Sequence, residues 1–296
     1  MSSTDIDPGA VLDAIGITAS APPERITGGM DTVIWRFPTA DGTLHALRLF
    51  RPEQAAAAAR ERAALDAAHA AGVPAPEVEA AGVWRDRPVA VLSWSPGGPL
   101  PAALEQRPWT LWRLAHAFGR TQARIHTVPA PSLLRTGARE RWLERAGPEE
   151  ATTVARLLAS QHSMETLLHL DYHPLNVLTD GRRITAVLDW VNATAGDPRA
   201  DIAWTAATLM VAPLPAGTSR PLLHVARRLL AAAWIRGYTS ATGAPVRGMA
   251  PFLAWAGAGM LRDYEPRAGA PGSTVTAADL ERIRRWTARW RQRQAP

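Results

Sequence analysis

Apolar and polar positions along this chain follow two different rhythms. The first hundred or so residues carry short apolar runs broken by glycine and proline, the pattern of strands and tight turns. Ile26-Thr-Gly-Gly-Met-Asp-Thr-Val-Ile-Trp-Arg-Phe37 reads as strand, glycine turn, strand, and Asp41-Gly42 marks a hairpin into a further strand, Leu44-His-Ala-Leu-Arg-Leu-Phe50. Strand residues two apart share a face, so Ala46 and Arg48 point the same way. Pro52 to Ala71 reads as an alanine-rich helix, with proline at its start and Gly72-Val-Pro-Ala-Pro76 to stop it. Val89-Ala-Val-Leu-Ser-Trp-Ser-Pro-Gly-Gly98 reads as a buried strand running into a Pro/Gly break.

Beyond that break the period becomes helical. Leu111, Leu114, Ala115, Phe118 and Ile125 recur at helical spacing between Trp109 and His126. Pro198 to Met210 and Pro221 to Tyr238 read as further helices. The last helix opens with a capping box, Thr276 to Asp279, and carries the apolar stripe Leu280, Ile283, Trp286 and Trp290 with arginine on its other face. Such a basic amphipathic helix can lie on a membrane surface. The plainer reading is a stripe packed on the core and a solvated arginine face. The expected class is α+β and bilobal, with a small β-rich part at 1–96 and a larger, mostly helical part at 97–296, divided at Pro96–Gly98. A chain of 296 residues has room for two such units and ample core.

Candidate chemistry concentrates in His169-Leu-Asp-Tyr-His-Pro-Leu-Asn176, followed by Asp189 on the strand-like run Ala186-Val-Leu-Asp-Trp190. Asp171 is a carboxylate able to accept a proton from a hydroxyl. Asn176 and Asp189 are hard oxygen ligands of the kind Mg²⁺ prefers, leaving its other positions for water and phosphate. The order His-x-Asp-x-x-x-x-Asn and then Asp is that of kinase-like phosphotransferases. His169 and His173 also have the four-residue spacing of a zinc helix, but Pro174 breaks a helix there and Leu170 stands where that motif needs Glu.

The stretch 168–178, together with Ala186–Trp190 and Gly196-Asp-Pro-Arg-Ala-Asp-Ile-Ala203, resembles the aminoglycoside phosphotransferase and choline kinase family. That resemblance, over roughly residues 25–205, implies a bilobal protein-kinase-like fold and ATP- and Mg²⁺-dependent transfer of a phosphoryl group to a small-molecule hydroxyl. It implies Asp171 as catalytic base, Asn176 and Asp189 as magnesium ligands, and His169, His173 and Asp201 as supports of the loop. In the N-terminal part it implies Ala46 against adenine and Arg48 on the phosphates, where protein kinases use lysine. Glu61 on the following helix would pair with Arg48, Gly28 and Gly29 would approach phosphate, and Ser93 and Ser95 would face adenine at the hinge. Leu170 departs from the family, many of whose members carry glycine there.

Composition narrows the alternatives. There is no cysteine, hence no disulfide and no thiolate chemistry. All 33 basic residues are arginine, which closes a lysine-dependent Walker loop and a Schiff base. The missing lysine also keeps open a catalytically weak, nucleotide-binding pseudokinase-type module. A protein kinase fits less well, because no Asp-Phe-Gly or Ala-Pro-Glu segment follows Asp189. Net charge is only +6 and no basic run interleaves with aromatics, so nucleic acid is not expected as a partner. A start without a basic apolar leader, and the lack of any apolar run of about 18 residues, point to a cytoplasmic protein, monomer or homodimer. Residues 202–296 hold 13 arginines against 4 acids, a net +9, whereas the first 201 hold 20 against 23. The later helices build much of the acceptor pocket in that family, and a polycation needs clustered carboxylates there. The acceptor is therefore expected to be neutral, weakly basic or anionic. The nucleotide is ATP or GTP.

Overall fold

The computed structural model describes residues 6–26, 33–159, 165–213, 220–270 and 272–293. The N-terminal part opens with helix α1 (Pro8–Ala14), capped by the Asp7 carboxylate, which accepts from the Gly9 N–H at 2.9 Å. Strands β1 (Glu24–Ile26), β2 (Val33–Pro38) and β3 (Leu44–Leu49) follow, then helix α2 (Ala55–Ala70) and strands β4 (Val78–Trp84) and β5 (Arg87–Ser93). The five strands make one antiparallel sheet in the order β1-β2-β3-β5-β4. Alternation decides its faces: Leu47 and Leu49 of β3 are buried with Trp35, Phe37, Val89 and Val91 beside Leu12 of α1. Ala46 and Arg48 lie on the opposite face, where Glu61 and Leu65 of α2 pack near Arg48, Ala90 and Leu92.

Strand β4 has no counterpart among the elements read from the sequence. It returns to β5 through Arg85 and Asp86, both at positive φ (47° and 65°), a two-residue turn of the type that matches strand twist. The usual Asn-Gly or Asp-Gly signal is absent there, which hides the hairpin.

The chain then enters the helical part through β6 (Gly98–Pro99), α3 (Leu100–Gln106), α4 (Leu111–Ile125), α5 (Ser132–Arg135), α6 (Ala138–Leu143) and α7 (Pro148–Ala159). Four short strands come next: β7 (Thr166–Leu168), β8 (Val177–Thr179), β9 (Ile184–Val187) and β10 (Thr194–Gly196). They build two small sheets, β6-β8-β9 and β10-β7. Helices α8 (Pro198–Val211), α9 (Arg220–Thr242), α10 (Ala250–Tyr264) and α11 (Ala277–Gln292) close the fold.

Two contacts in this part bear on the site. Helices α4 and α9 cross at two glycines: a Cβ on Gly119 would stand 1.9 Å from the Trp234 carbonyl oxygen, and one on Gly237 would stand 2.0 Å from that of His116. That backbone-on-backbone approach lets the Trp234 indole N–H donate to Gln122 at 2.8 Å and sets the Tyr238 hydroxyl 2.8 Å from His126. Helix α10 is buried continuously from Phe252 to Met260, between α8 and α11. The capping box of α11 forms as read, and Ile283, Trp286 and Trp290 pack on the same cluster as α10. Among the described residues no helix is long and apolar enough to cross a membrane.

Candidate active site

The loop from β7 to β8 is held by hydrogen bonds that leave little freedom. His169 is fully buried, and its Nε2–H donates to the Leu188 carbonyl at 3.0 Å. Its Nδ1 therefore accepts, and the donor is the Asp171 N–H at 3.2 Å; one neutral tautomer satisfies both bonds. Leu170 takes φ 55°, a left-handed conformation that costs a non-glycine residue about 1–2 kcal/mol. Asp201, in the first turn of α8, offsets that cost: Oδ1 accepts the Leu170 N–H at 2.9 Å and Oδ2 the His169 N–H at 3.2 Å. Oδ2 also accepts from His126 Nε2–H at 2.9 Å. Burial opposes ionisation of Asp201, but His126 and the backbone donors outweigh it and hold the carboxyl below its usual value.

The next residues are bolted to the helices below. The Tyr172 hydroxyl donates to the Phe118 carbonyl at 2.7 Å, and the Thr205 hydroxyl donates to the Tyr172 carbonyl at 2.8 Å. Gln122 in turn donates to Thr205 at 2.9 Å. Buried polar groups satisfied in this way specify one arrangement.

Asp171 itself faces a solvent-reached space, its side chain 24 % exposed. The Asn176 amide donates to the Asp171 carbonyl at 3.0 Å and to its carboxylate at 3.3 Å, so its NH₂ is committed and its Oδ1 is turned away. The Leu188 N–H donates to the Asn176 carbonyl at 2.8 Å, which ties the loop to the segment bearing Asp189. Asp189 is not carried on a strand, as the sequence pattern implied. Strand β9 ends at Val187, and Asp189 lies beyond it at φ 62°, a conformation Asp tolerates through local hydrogen bonding. His173 Nε2 stands 3.6 Å from Asp171. Burial holds the His173 imidazole below its usual pKa, and Asp171 and Asp189 offset this only in part.

In the N-terminal sheet, Arg48 of β3 donates to Glu61 of α2. The Glu61 side chain is only 3 % exposed, and its second oxygen, Oε2, is buried without a hydrogen-bond partner. Burial raises the Glu61 pKa, Arg48 lowers it, the charge of Asp189 raises it and the Trp190 backbone lowers it. Ala46 is half-buried on the same face as Arg48, in register with Leu92. The Ser93 N–H donates to the Glu77 carbonyl at 3.0 Å and its hydroxyl accepts from the Glu77 N–H at 2.9 Å. Ser95 is half-buried just past the end of β5. Gly28 and Gly29 lie outside the described residues.

Among the described residues no group of three or more His, Cys, Asp or Glu could hold a metal by itself. The donor set fits Mg²⁺ in another way. One carboxylate and one amide oxygen leave room for phosphate and water, the ligands that Mg²⁺ takes from a bound nucleotide.

His126, Tyr238, Gln122 and Thr205 had no sign in the motif. His126 stands 75 positions from Asp201 in sequence, and no local spacing announces such a contact. The only available hint was a histidine ending a helix whose other face is apolar.

Fold and loop together define a kinase-like phosphoryl-transfer protein. The sequence matches the phosphotransferase enzyme family over residues 24–252, and the chain belongs to that family. It is a phosphotransferase enzyme. Comparison with curated proteins found no match. Among solved structures, the chain is similar to a thermostable mutant of aminoglycoside phosphotransferase APH(4)-Ia in a ternary complex with ADP and hygromycin B, at 16 % identity and TM-score 0.65, covering 98 % of this chain and 99 % of that one. It is similar to an amicoumacin kinase, hAmiN, in complex with AMP-PNP, Ca²⁺ and Ami, at 12 % identity and TM-score 0.67, covering 97 % and 94 %. A macrolide 2'-phosphotransferase from Brachybacterium faecium shares 18 % identity at TM-score 0.54, covering 95 % and 96 %. At these identities the likeness is one of fold.

Proposed function

We propose that this enzyme is an ATP- and Mg²⁺-dependent small-molecule kinase that moves the γ-phosphoryl group to a hydroxyl, with Asp171 as the base. The observation that supports the reading is the hydrogen-bonded loop joining Asp171 and Asn176 to the segment that bears Asp189, together with the buried Arg48–Glu61 ion pair. The loop bonds link the first three, and Glu61 feels the charge of Asp189. In phosphoryl transfer the moving group is loosely bonded at the transition state, so catalysis is positioning and charge neutralisation. When bound, Mg²⁺ supplies part of that neutralisation on the phosphate oxygens. Asn176 Oδ1 and the Asp189 carboxylate are the residues to hold it. Arg48, set by Glu61, grips phosphate oxygens with its planar fork. Asp171 orients the acceptor hydroxyl and takes its proton. The division into a nucleotide lobe at 1–96 and an acceptor lobe at 97–296 belongs to this reading, with the cleft between them.

The acceptor is a hydroxyl compound that is not strongly polycationic. The Tyr264 phenol, at the end of α10, is raised in pKa by burial and by the charges of Asp171 and Asp263, against Arg267 and Arg145, so this end of α10 borders the Asp171 space. The carboxylates flanking it are already paired, Asp263 with Arg145 at 3.3 Å and Glu265 with Arg284 at 2.8 Å. A polycation finds no free carboxylate cluster there. The fold neighbours act on or bind antibiotics, which keeps an antibiotic beside a metabolite as the acceptor class.

The test is acceptor-dependent ADP release from Mg-ATP across aminoglycosides, macrolides, nucleosides, amino alcohols and sugars. The expected hit is a neutral, weakly basic or anionic alcohol. A preference for a polyamine aminoglycoside would contradict the charge argument. Replacing Asp189→Ala is expected to remove the Mg²⁺ dependence of nucleotide binding, read by titrating the metal at fixed ATP. An unchanged titration would take Asp189 out of the metal role.

A further inference from the structure

Arg145 occupies a place that the catalytic motif does not call for. It sits on the short 3-10 turn Glu144–Ala146, between α6 and α7, and its guanidinium meets three parts of the molecule. One N–H donates to the Leu170 carbonyl at 3.2 Å, and another donates to Asp263 Oδ2 at 3.3 Å. Its Cζ lies 3.6 Å from the centre of the Trp204 ring. Planar stacking on an indole combined with in-plane donors is a geometry lysine cannot copy.

The Leu170 carbonyl belongs to the same peptide unit as the Asp171 N–H. That N–H donates to His169 Nδ1 at 3.2 Å. The peptide plane that presents Asp171 is thus pinned from both ends, by His169 on one side and Arg145 on the other. The pin matters because Leu170 holds a left-handed φ that a side chain disfavours, so the peptide has a reason to turn over if released. The platform under Arg145 is itself fixed. Trp204 is buried on α8, and Gly259 of α10 admits its ring so closely that a Cβ there would stand 2.8 Å from it. Asp263, the other partner, is on the last turn of α10, beside Tyr264.

We infer that Arg145 is a positioning residue: it fixes the Leu170–Asp171 peptide and, through Asp263, ties the orientation of Asp171 to the end of α10. This rests on the reading of Asp171 as the base.

The test compares wild type with Arg145→Gln, Arg145→Lys, Asp263→Asn and Asp171→Ala. The readouts are amide hydrogen exchange over residues 168–173, the thermal midpoint, and ADP release from Mg-ATP with water as the only acceptor. In Arg145→Gln, exchange at residues 170 and 171 is expected to rise about tenfold, the effect of losing one charge-assisted hydrogen bond. The β4–β5 amides should stay unchanged, kcat should fall and the KM for Mg-ATP should hold. Arg145→Lys is expected to recover part of kcat, and Asp263→Asn to show the same changes in smaller measure. Unchanged exchange at 170 and 171 in folded Arg145→Gln would overturn the inference. So would exchange that rises everywhere with a lowered midpoint, the mark of a purely structural arginine. If Arg145→Gln does not fold, Asp263→Asn decides: exchange at 170 and 171 must rise there. Asp171→Ala separates the two readings, because ADP release that survives it sinks the base assignment while the exchange result on Arg145 stands.

Discussion

Two carboxylates are buried beside the site, and the two halves of the molecule treat them oppositely. Asp201, in the helical half, accepts from three donors and is held below its usual pKa. Glu61, in the sheet half, pairs with Arg48 and has the Trp190 backbone as a further favourable contact, yet burial still raises its pKa. A buried charge whose two oxygens both accept well-placed hydrogen bonds makes a rigid anchor, whereas one whose partners do not offset its burial carries a desolvation cost. The contrast separates labour within the enzyme. The loop bearing Asp171 is held throughout by hydrogen bonds from the chain's own groups. In the proposed reading, the Arg48–Glu61 pair is the part of the site that meets the charge of a nucleotide.

The contrast breaks most visibly at Asp201. Replacement by alanine strands His126 and two backbone N–H groups in the interior, and a loss of about 3–5 kcal/mol is expected in urea unfolding. A loss under about 1 kcal/mol would mean that the loop does not depend on this anchor. Glu61→Gln should act in a different currency. The amide can still accept from Arg48, so stability is expected to stay within about 1 kcal/mol of wild type. Loss of the charge that sets Arg48 should weaken Mg-ATP binding by about 1.5–3 kcal/mol, roughly 10- to 150-fold in Kd by calorimetry. Equal nucleotide affinity in the two proteins would remove Glu61 from the site.

The smallest effect, and the sharpest in sign, is the pH dependence of stability. The folded pKa of Asp201 lies below its ordinary 3.8, so its contribution is full above that value and is lost as the pH falls through the folded value. The folded pKa of Glu61 lies above its ordinary 4.5, so its contribution is full below 4.5 and is lost as the pH rises through the folded value. Unfolding free energies measured against pH should therefore lose part of their acid-side fall in Asp201→Asn and part of their decline above 4.5 in Glu61→Gln. The same change in slope from both variants would contradict the assignment.

Legibility followed locality. The motif that holds Asp171, Asn176 and Asp189, the β2–β3 hairpin and helices α2, α4, α8, α9 and α11 can all be read because their signals are local: spacing, capping, a period. Helix α10 left no such signal. Buried along nine consecutive residues, it has no polar face to make a period. Strand β4 was hidden by its unusual Arg85-Asp86 turn. The supports of the loop escaped for a different reason. His126, Tyr238 and Arg145 act through contacts 75, 112 and 25 positions away, and tertiary packing alone brings them together. Asp189 was misplaced on a strand because an apolar run ends just before it, and the backbone turn that presents it has no side-chain signature.

The central claim is that a prebuilt loop offers Asp171 as the base while nucleotide binding is handled elsewhere. The most direct test measures two quantities side by side for wild type and Asp171→Ala: the single-turnover rate of γ-phosphoryl transfer from Mg-ATP to an acceptor taken from the panel, and the Kd for Mg-ATP. The rate is expected to fall about 10²- to 10⁴-fold, the usual worth of a positioned base, with Kd unchanged. A variant that transfers at the wild-type rate, or that loses the rate only because it no longer binds Mg-ATP, would contradict it.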